Sequence, residues 1–76
     1  MQTFPQYRML SNGKVFYQIL SMVEFVEVQY IGEKKMIFKM RAEQYPEKLR
    51  IMEMLSFTDP YVAMEDINLP LFEIES

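Results

Sequence analysis

Carboxylates and cations are the side chains of this chain best placed to do chemistry. Glu65 and Asp66 adjoin, and Glu73 and Glu75 share a face if 71–75 is extended. Such groups suit a hard cation, yet the spacing of a calcium loop is absent, and a solvated acidic surface is the plainer reading. Glu24 and Glu27 could serve as acid and base inside an enclosed barrel, but Glu27 reads better as a surface ion pair with Lys39. The sequence contains no histidine and no cysteine. That removes the commonest general base, the usual nucleophile–base pairs and nearly all zinc sites. Gly13 and Gly32 are isolated turn residues, so no phosphate loop exists. The serines and threonines have no base nearby in sequence. The chain therefore reads as a non-enzyme, with no catalytic residue, metal or cofactor.

A second constellation is basic. Lys39 and Arg41 alternate on one extended run, Lys34 and Lys35 sit at its turn, and Tyr30 is interleaved. Tyr30, Lys35, Lys39 and Arg41 together could form a weak single-stranded nucleic-acid surface. The net charge of −3 opposes this, because phosphate attraction drives such binding. Nucleic acid is thus the alternative partner and not the expected one. The charge is also polarised. Residues 1–50 hold all eight Lys and Arg against five Glu, and residues 51–76 hold six acids and no base. Residues 66–76 read as an acidic tail, loosely docked on the domain or reaching a basic partner.

The elements that must position these groups begin with residues 14–42, which are dense in Val, Ile, Phe and Tyr and lack proline. Such residues fit a pleated, half-buried surface. Residues 14–27 also fit a helical period, with Val15, Phe16, Ile19, Leu20, Val23 and Val26 on one side. Composition and the upstream turn favour strand. Around Gly32, a three-residue break is expected to oppose Tyr30 to Met36, Val28 to Phe38 and Val26 to Met40. That leaves Glu27 facing Lys39 on a polar face.

Residues 4–10 form a further strand, placed at an edge by Pro5. Asn12-Gly13 then predicts a hairpin with a type I′ turn. It opposes Arg8 to Tyr17 and Gln6 to Ile19 on one face, and Met9 to Phe16 and Tyr7 to Gln18 on the other. Both faces of this hairpin are apolar. One helix covers only one of them, so the face carrying Tyr7, Met9, Phe16 and Leu20 is a candidate partner-binding surface. A strongly curved small barrel that hides both faces is the competing solution. The Ser21-Met22-Val23 connection is a tight link or a bend in one strand.

Downstream, Pro46 opens an amphipathic helix over 46–56. Leu49, Met52 and Leu55 face inward with Ile51, and Arg50 and Glu53 face solvent. Asp59-Pro60 signals a second short helix over 60–66, and 71–75 reads as an edge strand or a tail. Within this end, Asp66-Ile67-Asn68-Leu69-Pro70-Leu71-Phe72 resembles the short peptides by which bacterial proteins dock on the replication sliding clamp. Asp66 stands where those peptides have glutamine. The resemblance covers seven of the 76 residues and implies a replication-associated protein that binds through Ile67, Leu69, Leu71 and Phe72. The alternative is that Leu69, Leu71 and Phe72 close the core.

Seventy-six residues predict one domain, 1–76. A chain this short buries only about 60–65% of its unfolded surface, and without cysteine nothing covalent staples it. The eight methionines are read mainly as core fillers. No charged start precedes an apolar block at the N-terminus, and no apolar run reaches the ~18 residues of a membrane span. The expectation is a soluble, cytoplasmic protein that does not touch membranes. The fold expected is α+β, a strongly curved antiparallel meander of about four strands with one covering C-terminal helix and a short terminal element. The function expected is a small protein-interaction module of regulatory or inhibitory type that binds itself, as a homo-oligomer, or another protein.

Overall fold

The computed structural model describes residues 3–65, 69, 70 and 72. The fold is α+β: a five-stranded antiparallel sheet and one helix. The strands are β1 (Gln6–Leu10), β2 (Val15–Ile19), β3 (Glu24–Ile31), β4 (Lys34–Arg41) and β5 (Tyr61–Ala63), and the helix is α1 (Tyr45–Leu55). Across the sheet the order is β4-β3-β2-β1-β5, and the sheet does not close into a barrel.

The first hairpin pairs as the position of Asn12-Gly13 predicts, with Arg8 opposite Tyr17 and Met9 opposite Phe16. Its turn differs. Gly13 has positive φ and Asn12 does not, so the loop is not type I′. The Gly13 N–H instead donates to the Leu10 carbonyl at 2.8 Å, and the Lys14 N–H donates to Asn12 Oδ1 at 2.9 Å. The asparagine side chain thus supplies the bond that tightens the loop. Residues 15–19 and 24–27 are strand and not helix, and the link after β2 is tight, with Leu20 and Ser21 N–H groups both donating to the Glu24 carbonyl.

The β3–β4 register is one residue from the expected one. Tyr30 faces Lys35, Val28 faces Ile37, Glu27 faces Phe38 and Phe25 faces Met40. The link is the two-residue Gly32-Glu33, with Gly32 at φ 63°, and the short hairpin loop fixes the register. Every β4 side chain therefore changes face. Met40 joins the core beneath α1, and Lys39 lies on the sheet face opposite Glu27.

Strand β1 is interior rather than at the edge. Pro5 precedes its first paired residue, Gln6, so the missing N–H costs the ladder nothing. The neighbour on its other side is β5, which forms where a helix over 60–66 was expected. Arg8, Met9 and Leu10 pair with Ala63, Val62 and Tyr61. Short segments follow the best tertiary partner, and the open side of β1 outweighs a local helix-start signal.

Helix α1 covers one face of the sheet. Ile51 and Met54 are fully buried with Tyr17, Ile19, Phe25 and Ala42. Met52 points out, contrary to the expected inward face, and Leu49 is exposed. The helix is apolar on both sides, so spacing alone admitted two orientations. Its C-terminus is closed by bonds from Phe57 N–H to the Met54 carbonyl and Thr58 N–H to the Glu53 carbonyl. Phe57 takes the left-handed conformation, φ 55°, usually held by glycine. The opposite sheet face buries Phe16, Val26 and Val28, covered by Met9, Met64 and Phe72 of the same chain. Among the described residues, no helix is long and apolar enough to cross a membrane.

Candidate functional site

The site with the most unmet binding capacity is the β3–β4 hairpin. β4 ends the sheet, and among the described residues only β3 pairs with it. It runs for eight residues without proline. Edge N–H and C=O groups left unpaired are a template for another strand. Its apolar side chains are also open to solvent, with Met36, Ile37 and Phe38 exposed at 40%, 41% and 37%. Tyr30 and Ile31 on β3 add to this surface.

Charge on β4 is one-sided. β4 carries Lys34, Lys35, Lys39 and Arg41 and no acid. Arg41 lies 3.3 Å from Glu24 and 3.4 Å from Glu43, both exposed contacts, so they add little stability. Among the described residues the three lysines have no ion-pair partner. The β4 end of the sheet also holds a groove of about 340 Å³, lined by Gln18, Leu20, Val26, Lys39 and Arg41 among others.

Glu27 pairs with Arg50, not with Lys39. Oε1 accepts from Arg50 Nη2 at 2.9 Å, and Oε2 accepts from Gln29. Arg50, expected in solvent, thus turns toward the sheet, where its guanidinium lies 5.2 Å from the Phe25 ring centre. Burial works against its charge, but hydrogen bonds to Tyr61 and Glu27 outweigh that and hold its pKa above the ordinary value. Glu24 and Glu27 lie on opposite sheet faces and do not form an acid–base pair. Among the described residues no cluster of three or more acids could hold a metal.

Beside Arg50, burial and then the Glu27 charge push the Tyr17 phenol up to about 12. The folded state therefore holds this proton after the unfolded chain has lost it, at about 10. The stabilisation is complete below pH ~10 and falls as pH rises toward ~12. Phenolate absorbance is expected to show an ionisation step near pH 12, and Tyr17→Phe is expected to remove that step. A titration unchanged by the substitution would refute the assignment.

The proposed binding residues divide into groups. Phe16 is interior, 6% exposed, and Tyr7 and Met9 are half-buried beside it. The Tyr7 ring packs 5.5 Å from the Phe72 ring, so this hairpin face has cover within the chain. Leu20 is exposed at the groove. Leu69 and Phe72 are half-buried, while Ile67, Leu71 and most of the acidic tail lie outside the described residues. Tyr30, Lys35, Lys39 and Arg41 come together on one sheet face, because the observed register sets Tyr30 against Lys35 and Val26 against Lys39.

No family model matches the chain. No curated protein and no solved structure matches it either. Sequence reasoning missed two features. One is the apolar edge made by Met36, Ile37 and Phe38, which an assumed register had divided differently. The other is the exposed helix stripe Tyr45, Leu49 and Met52, of which Leu49 and Met52 were assigned to the interior and Tyr45 lay before the expected helix.

Proposed function

We propose that this protein is a non-enzymatic protein-interaction module whose binding surface is the β3–β4 hairpin. One observation carries the reading. An eight-residue edge strand leaves its outer ladder unpaired among the described residues and exposes three consecutive apolar side chains. Strand addition would satisfy the main chain and cover Met36, Ile37 and Phe38 together. The chemistry of the sequence, without histidine or cysteine, supports binding over catalysis. Selection of a random peptide library on the folded protein tests it. Enriched peptides are expected to lose about tenfold or more in affinity for Ile37→Asp, a change of roughly 1.4 kcal/mol, and little for Leu49→Asp. Equal binding to Ile37→Asp would sink the reading.

Single-stranded nucleic acid is the second reading. The shared face of Tyr30, Lys35, Lys39 and Arg41 favours it, and the net charge opposes it. Its mark is affinity that falls steeply with salt.

A further inference from the structure

We propose that β4 accepts an extended segment of another protein in which acidic side chains alternate with apolar ones. The inference rests on the β3–β4 hairpin being a docking edge and adds the chemistry of its partner. Side chains along β4 alternate between the two sheet faces. Lys35, Ile37, Lys39 and Arg41 share one face, and Lys34, Met36, Phe38 and Met40 share the other. A strand added beside β4 sets its own side chains about 5 Å from these. On the first face it meets the cations Lys35, Lys39 and Arg41, which a row of carboxylates would match. On the second it meets Met36, Phe38 and Met40, which call for apolar residues. The groove beside Lys39, Arg41 and Leu20 gives the end of the segment room for one larger side chain.

Charge also decides against a second copy of this strand. Antiparallel pairing of β4 with itself, centred on Ile37, opposes Lys35 to Lys39. Centring on Phe38 opposes Lys35 to Arg41, and centring between them opposes Lys34 to Arg41. Each of these registers places cations directly across from each other, which destabilises a pair of strands. Four positive charges on each strand add long-range repulsion.

The test uses the full chain and three labelled probes: a decapeptide alternating glutamate and isoleucine, its lysine–isoleucine counterpart, and a single-stranded oligothymidine. Fluorescence anisotropy is read at low and high salt, with hydrogen exchange on the β4 amides. The acidic peptide is expected to bind about tenfold tighter than the basic one and to slow exchange along β4. The Lys35→Glu/Lys39→Glu variant is expected to reverse that order. Both substitutions lie on an exposed strand, and circular dichroism checks that the variant is folded. Basic-peptide binding with the same protection would overturn the acidic assignment and leave the docking edge standing. Protection by no peptide would overturn both. Tighter binding of the oligothymidine would give the surface to nucleic acid. A dimer in the free protein that already protects β4 would give it to a second copy.

Discussion

Phe25→Ala is expected to lower the melting temperature by about 20 °C, from a loss of roughly 3–5 kcal/mol. The ring is 1% exposed and lies between the sheet and α1, with Ile19 and Met40 as its cross-strand neighbours. The Tyr17 ring centre is 6.3 Å away, and the Arg50 guanidinium rests on it. Removing it opens a cavity that α1 cannot fill without leaving the sheet, and it strips the apolar support from the Glu27–Arg50 pair. A domain of this length has about 4–11 kcal/mol of stability in total, so one ring accounts for a large share. Phe25→Leu is expected to cost far less, because it keeps most of the volume. Thermal melts followed by circular dichroism decide the matter. A shift of only a few degrees for the alanine variant would show that this core closes without the ring.

The second large effect is expected at Arg8, a cation buried on an interior strand. Nε donates to the Met54 carbonyl at 2.8 Å, Nη1 to the Tyr7 carbonyl at 2.8 Å and Nη2 to Gln6 Oε1 at 2.7 Å. The guanidinium also sits 3.8 Å from the Phe57 ring centre. Burial lowers its pKa from the ordinary value, so holding the charge there is costly. Arg8 ties β1 to the last turn of α1 and to the left-handed Phe57 that ends it. Arg8→Ala is expected to cost about 3 kcal/mol, through lost packing and lost charge-assisted bonds. Arg8→Met keeps the stem and removes the buried charge, so about half that cost is expected. Urea titration of the two variants separates the contributions. Equal destabilisation would mean that the charge, and not the stem, anchors the helix end.

These two residues show where sequence reasoning was strong and where it stopped. Phe25 was legible as a strand residue from the aromatic and β-branched run around it, although residues 14–27 also fit a helical period. Arg8 was not legible as a buried cap, since the Met54 carbonyl and the Phe57 ring that meet it lie far along the chain, and an arginine in a strand usually points to solvent.

Local chemistry in the sequence determined the class of the fold. Period-2 runs and the positions of Gly13 and Gly32 specified four strands and two of their turns. Pro46 and good helix formers specified α1 to within a residue. The position of Asn12-Gly13 between two apolar runs was enough for the β1–β2 register. Local pattern was not enough for β3–β4. There the hydrophobic pattern favoured a register one residue away from the observed one, and the geometry of the two-residue turn overrode it. Tertiary structure alone made Tyr61–Ala63 a strand, because only the assembled sheet offers the open side of β1. It alone chose the inward face of a helix that is apolar on two sides. The candidate site follows the same division. Its lysines and apolar residues stand in the sequence, but their grouping on the free edge of β4 depends on a register and a strand order that local residue types do not encode.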